Sequence, residues 1–272
     1  MMKKWAGAAV IYLVVILAAY NIYTGFSNSN TETPTETISD HSSHNDKDHL
    51  YANEDDEVKV GMSVSRNKLT IHLVDRDDQA IEELDINHEK LLHLIIVDNH
   101  LEQYYHLHPD QIDVGVFQTT IDLQEGAYTA YVDVKPTNLP YQIRPQPFTI
   151  GGSDAVQKEE HGNHTLVPDE NLTQTVQNYS VQLEPSNLKV GELVTLKFEL
   201  PATVIPEPYL GALGHVVILD ETAENFIHVH PTNNQETTFE TVFDQPGIYK
   251  IWAEFKLDGE VFIFPYVVEV SA

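Results

Sequence analysis

The chain contains no cysteine. That absence excludes disulfides, thiolate zinc sites, thiolate-bound blue copper and lipid attachment at an N-terminal Cys. Sulfur of any kind is scarce, since the only methionines are Met1, Met2 and Met62. Basic residues are few as well: 15 Lys and Arg stand against 42 Asp and Glu, for a formal net charge of −27. Such a balance repels nucleic acid and anionic lipid, and suits an exported domain or one that attracts cations. No G-x-S-x-G, nucleotide-binding loop or thiol nucleophile is present, so nothing marks an enzyme and binding without turnover is the expectation. An exported chain without disulfides must carry its stability in packed cores. At 272 residues and 42% apolar, it is long enough for two domains of ordinary size.

Long hydrophobic runs are confined to the start. Lys3 and Lys4 precede an apolar stretch from about Trp5 to Tyr23, about the length that crosses a bilayer as a helix with its positive end in the cytoplasm. The rival is a cleaved signal peptide, but the small-x-small pattern is poor where Leu17 precedes Ala18-Ala19. Residues 1–26 are therefore read as an uncleaved single-pass anchor in the cell membrane, which places the rest of the chain outside the cytoplasm. Residues 27–56 are polar, acidic and contain His41, His44 and His49. Such a segment cannot bury enough surface to fold and reads as a tether.

From Val58 the pattern turns period-two, in "VKVGMSVS", "KLTIHLVD" and "FQTTIDLQEGAYTAYVDV". Short strands at close spacing with Gly, Asn, Asp and Pro between them predict an antiparallel sandwich or barrel. Residues 153–176 are again polar and read as a linker, with His161 and His164 solvated inside it. A second strand-rich unit follows to residue 272. The fold class is thus all-β, with folded units at 57–152 and 177–272.

The stretch "HEKLLHLIIVDNHLEQYYHLHPD", residues 88–110, begins much like the zinc-protease signature H-E-x-x-H. That motif needs two His four apart on one helix face. His88 and His93 are five apart, which on a helix turns them about 140° from each other. The β-branched run Leu94-Ile95-Ile96-Val97 followed by Asp98-Asn99 reads instead as strand and hairpin, and Glu89 loses its role as a general base.

A repeat inside the chain singles out the residues that matter. "HLIIVD" from His93 lies against "HVVILD" from His215, and "YYHLHPD" lies against "FIHVHPT". His93 to His106 and His215 to His228 both span 13 residues, and each His-x-His is followed by Pro109 or Pro231. Of fourteen His, six recur at three paired positions: His93, His106 and His108, and His215, His228 and His230.

On a strand, His106 and His108 point to one face, as do His228 and His230. If Asn99–Glu102 make the turn, Asp98 pairs with Gln103 and His93 falls opposite His108; slipped by two, it faces His106. Either register brings three imidazoles together, because opposed side chains lie about 5 Å apart at Cβ. Three neutral imidazoles with an open position suit Cu(II), Cu(I) or Zn(II) and not the oxygen-seeking Ca²⁺ or Mg²⁺. His88 is an accessory fourth candidate in the first repeat, where the second has Leu210. The competing reading makes the six residues hairpin braces in a non-catalytic interaction or structural module at the cell surface. His72, alternating with Thr70 and Val74 in a strand, reads as structural.

The two stretches, with "GAYTAYVDV" and "PGIYKIWAEF" downstream, resemble the bacterial extracytoplasmic immunoglobulin-like domains grouped as YtkA-like, found beside or fused to copper-handling proteins. The resemblance covers both repeats but neither the anchor nor the tethers. It implies tandem immunoglobulin-like β-sandwiches and a place in copper or other heavy-metal homeostasis. The partners to expect are metal ions, copper first with zinc as the alternative, and a membrane copper transporter. It matches the six paired His to the family's recurrent His positions. In "GALGH" Leu213 stands where similar domains carry a Met, which implies a weaker or differently tuned second site.

Overall fold

The computed structural model describes residues 57–151 and 166–272, apart from Asn234 and the side chains of His228 and His230. The expected anchor and tether lie outside the described residues. Among the described residues every regular element is a β-strand, and no helix is long and apolar enough to cross a membrane.

The first repeat contains β1 (Val58–Ser65), β2 (Lys68–Asp75), β3 (Leu84–Asp85), β4 (Leu92–Asp98), β5 (Tyr104–Leu107), β6 (Asp110–Asp113), β7 (Val116–Thr120), β8 (Gly126–Pro136) and β9 (Pro145–Ile150). One sheet has the order β1-β2-β7-β6. The other runs β5-β4-β8, with β9 and β3 both paired to β8. In chain order this is the A-B-E-D and C-F-G arrangement of the immunoglobulin fold, with one strand added beside C. Alternation explains the sheet facing inward: Leu69, Ile71 and Leu73 are buried on β2 while Lys68 and His72 are exposed. They meet Leu94, Ile96, Ala130 and Val132 from the opposite sheet in one core.

The second repeat contains β10 (Thr173–Val176), β11 (Tyr179–Pro185), β12 (Leu193–Glu199), β13 (His215–Asp220), β14 (Phe226–Pro231), β15 (Thr238–Val242), β16 (Gly247–Leu257) and β17 (Glu260–Val270). These run in the order β10-β11-β12-β15-β14-β13-β16-β17. Here β14 pairs with β13 and then, at His230 and Pro231, with β15, so one strand passes between the two halves of the sandwich. In the first repeat the same passage is split into β5 and β6 around Pro109. The strand β10 falls inside the stretch read as linker. A tight turn with Gln177 at φ 50° folds it back on β11, and the repeat therefore begins before residue 177.

Both repeats carry a tyrosine at the start of the F-equivalent strand whose hydroxyl donates to a carbonyl four residues upstream. Tyr128 bonds Gln124 at 3.2 Å and Tyr249 bonds Gln245 at 2.8 Å. This is the tyrosine corner of immunoglobulin-like sandwiches, and it accounts for the repeated Gly-x-Tyr in the sequence.

Every residue of β4 is buried, which a strand with one solvated face cannot be. Leu92, Leu94 and Ile96 enter the core of the first repeat. The opposite face presents Ile95 and Val97, which join Leu101 and Tyr131 against Val217, Leu219 and Trp252 of the second repeat in a third apolar cluster. The two sandwiches thus pack through their C-F faces, and each large apolar side chain buried there contributes on the order of 1.5–3 kcal/mol. The continuous apolar runs in the sequence reflect this double burial.

Candidate metal centre

The hairpin between β4 and β5 sets the site. Asp98 pairs with Gln103, its amide donating to the Gln103 carbonyl at 3.3 Å. The Asp98 carboxylate caps the turn by accepting the amides of Glu102 and Gln103 at 2.8 and 2.7 Å. The register runs from Val97 opposite Tyr104 to Leu94 opposite Leu107, and one step on it sets His93 opposite His108. That is the first of the two registers the spacing allowed.

His93, His106 and His108 come together with one ring nitrogen each inside a 4.8 Å cluster. His93 Nε2 lies 2.9 Å from the Asn87 carbonyl. A carbonyl only accepts, so Nε2 carries the proton and Nδ1 keeps the lone pair. His106 Nδ1 lies 2.9 and 3.0 Å from the two oxygens of Glu254, so Nδ1 is a donor and, in the neutral ring, Nε2 holds the lone pair. Yet His93 Nδ1 and His106 Nε2 stand 3.0 Å apart. Two lone pairs facing at that distance require a proton or a cation between them. Nitrogens bound about 2.0–2.1 Å from one tetrahedral ion lie roughly 3.3 Å from each other, close to the observed gap. His108 Nε2 is buried with no hydrogen-bond partner. Ring N–H groups donated to a carbonyl and a carboxylate are the outer contacts that orient metal-binding imidazoles.

Burial, reinforced by the neighbouring His106 and His93 rings, pushes the His108 pKa down to about 3. The imidazole is therefore neutral, with its lone pair available, at neutral pH. Between the unfolded value near 6.5 and the folded value near 3, the unfolded chain takes up a proton that the folded chain refuses. This contribution to stability is complete above pH 6.5 and is lost as pH falls toward 3. Metal-free protein should accordingly lose more unfolding free energy between pH 6.5 and 4 than its His108→Gln variant in urea titrations. Equal losses would contradict this assignment of the proton.

Glu254 belongs to the second repeat, on β16, and its side chain, like that of His106, is 3% exposed. Burial alone would raise its pKa. His106 and the Tyr104 hydroxyl, which donates to Oε1 at 2.7 Å, outweigh that and hold it below the usual carboxylate value. Tyr104 in turn is stacked on Trp252, with centroids 4.9 Å apart and planes 16° from parallel.

His88 is held at φ 46° and Glu89 at φ 64° in a two-residue turn closed by Asn87 and Lys90. Positive φ at both positions makes it a type I′ turn, normally Asn-Gly, and non-Gly residues there are strained. The turn brings the His88 ring to 6.0 Å from His93 and 5.7 Å from His215. The Glu89 side chain lies beside Gly211 of the second repeat, away from any role as a base. The second repeat repeats the turn with Leu210 and Gly211, both at positive φ.

His215 occupies the position of His93 and bonds the Tyr209 carbonyl through Nε2 at 2.8 Å. It does not sit in a remote second site, for its ring is 6.2 Å from that of His106. His228 and His230 lie on β14; their side chains are outside the described residues. His72 is exposed on β2.

A family model, described as a domain of unknown function (DUF8832), matches residues 48–151 and 174–272. The chain belongs to the DUF8832 family. No curated protein matches it. Among solved structures, the chicken interferon gamma receptor alpha chain is similar at 11% identity and a TM-score of 0.24, with 79% of this chain and 98% of that one covered. A DUF3823 family protein from Bacteroides ovatus is similar at 15% identity and a TM-score of 0.21, with 76% and 99% covered. Likeness at that level carries no argument about this DUF8832 chain.

Spacing within one repeat could not find Glu254, Tyr104 or the Asn87 carbonyl, because their contacts are set by packing. One signal was available for Glu254. Both DUF8832 repeats place an acid among apolar residues at the same point of β8 and β16, Asp133 in "YVDV" and Glu254 in "WAEF", and both are buried. Gly214, just before His215, marks the same neighbourhood. A Cβ there would lie 2.5 and 2.7 Å from Phe255 ring carbons and 2.8 Å from the Glu254 carbonyl. Gly214→Ala should therefore cost about 1–3 kcal/mol through overpacking, read as a lowered melting temperature. An unchanged melting temperature would mean that β16 yields without strain.

Proposed function

We propose that this protein is a membrane-anchored, extracytoplasmic metal-binding protein that binds copper, with zinc as the alternative, through His93, His106 and His108. The observation that carries the reading is the convergence of three imidazole nitrogens within 4.8 Å, with His93 Nδ1 and His106 Nε2 facing each other at 3.0 Å. A carboxylate buried beside neutral imidazoles also favours a cation at that place. The donor set is nitrogen only, which favours Cu(II) over the other divalent ions by the general affinity order and accommodates Zn(II) and Cu(I). His88 and His215 stand next to the cluster as further nitrogen donors. His228 and His230 complete a second set in this proposal.

The chain fragments that resemble YtkA-like domains support copper handling, and the apolar residues 1–26 support anchoring, with a membrane copper transporter as the candidate recipient. A second reading has its own support: the hydrogen bond between His106 and Glu254 crosses from one repeat to the other, as expected of histidines that brace two domains of a surface interaction module. Calorimetric titration of the full chain with Cu(II), Cu(I) and Zn(II), with Mg(II) as a hard-cation control, separates the two. Sub-micromolar binding of Cu(II) or Zn(II) without Mg(II) binding is expected. Affinity no tighter than micromolar for all of them would leave the bracing module as the better reading.

A further inference from the structure

The geometry points to Glu254 as a positioning residue supplied by the second repeat for the metal site of the first, so that the site is complete only while the two repeats are docked. The inference rests on the metal-binding reading for its consequence, but the positioning itself is a property of the metal-free protein. The His93, His106 and His108 set lies wholly on the first repeat and needs no help to gather. What it lacks locally is a partner for His106 Nδ1. Both Glu254 oxygens take that role, at 2.9 and 3.0 Å. In the neutral ring this leaves Nε2, the nitrogen facing His93, as the lone-pair atom. With no acceptor at Nδ1 the imidazole can carry its proton on Nε2, and the cluster then loses one of its three donors.

Glu254 is in turn held by groups from both repeats. Tyr104 of the first donates to Oε1 at 2.7 Å, and the Tyr104 ring lies against Trp252, two residues before Glu254 on the same strand face. The contact has a counterpart on the other side of the interface. Tyr131, the first repeat's equivalent of Trp252, stacks on Phe226, the second repeat's equivalent of Tyr104, with centroids 5.0 Å apart and planes at 19°. Paired contacts with the roles exchanged describe an isologous interface like that of a two-fold dimer, built here within one chain. Docking is thus a defined arrangement that delivers the carboxylate to one place. By linkage, an ion that binds better to the docked form tightens docking by the same factor.

The test uses the full chain, ¹⁵N-labelled and metal-free, with the His106 tautomer read from long-range ¹H–¹⁵N correlations and Cu(II) affinity measured separately. Wild type should show a proton on Nδ1 of His106. Glu254→Leu should abolish it and weaken Cu(II) binding about 100-fold, whereas Glu254→Gln, which keeps an acceptor without the charge, should preserve the tautomer and lose about 10-fold, within the range for outer contacts to ligand histidines. Phe226→Ala weakens the far side of the same interface and should keep the Nδ1 proton, with a smaller loss of Cu(II) affinity than Glu254→Leu. An Nε2–H tautomer in wild type, an unaltered tautomer in Glu254→Leu, or equal effects from Phe226→Ala would overturn the assignment. If Glu254→Leu does not fold, an unchanged affinity in Glu254→Gln overturns it instead. Absence of metal binding in wild type would count against the proposed function, while the tautomer readout would still judge the role of Glu254.

Discussion

His108→Ala is expected to lower Cu(II) affinity by about 100-fold while leaving the metal-free protein at least as stable as wild type. The two effects separate because the Nε2 atom of this histidine is buried without a hydrogen bond to lose. Removing it deletes an unsatisfied polar atom, whereas its loss as a ligand removes one share of a binding energy that amounts to about 10–16 kcal/mol over four ligands in structural zinc sites. One share is roughly 3 kcal/mol, or two decades. His106→Ala should lose affinity to a similar degree but behave differently without metal. It leaves Glu254 buried with the Tyr104 hydroxyl as its hydrogen-bond donor, and an uncompensated buried charge costs about 3–5 kcal/mol. Isothermal titration beside urea unfolding of both variants checks the pair. A His108→Ala protein that binds copper like wild type would remove the three-nitrogen site, and one that is strongly destabilised would make His108 a brace.

The largest effect on stability is expected from Trp252→Ala, at about 3–5 kcal/mol. Trp252 is fully buried, faces the other repeat rather than its own core, and stacks on Tyr104. Its removal opens a cavity between two sandwiches that each have a separate core, so neither can collapse to fill it without shifting the other. At about 2–4 °C per kcal/mol for a unit of this size, melting should fall by roughly 6–20 °C, and calorimetry should show one transition splitting into two as the repeats uncouple. A loss below about 1 kcal/mol with a single transition would mean that the apolar interface contributes little to holding the repeats together.

The strand pattern, the repeat and the hairpin at Asp98 were legible in the sequence because each is local. Alternation assigns faces along a strand, and Asp98 with its following amides closes one turn. The same locality put His93, His106 and His108 on one face. Residues 173–176 were missed as a strand because four polar-leaning residues carry little periodicity until β11 pairs with them. His88-Glu89 misled because its meaning lies in a type I′ turn with positive φ at both residues, a conformation the residue types do not advertise.

By itself, then, the sequence determined which residues could share a face within each repeat, and with them the three imidazoles that converge. Only the tertiary structure decided what that face meets. Ile95 and Val97 dock on Val217, Leu219 and Trp252, and this non-local burial brings Glu254 to His106 and His215 to the edge of the same cluster. The physical reason is that strand geometry is set by neighbouring residues, whereas the choice of partner surface is set by the summed burial of apolar side chains far apart in the chain.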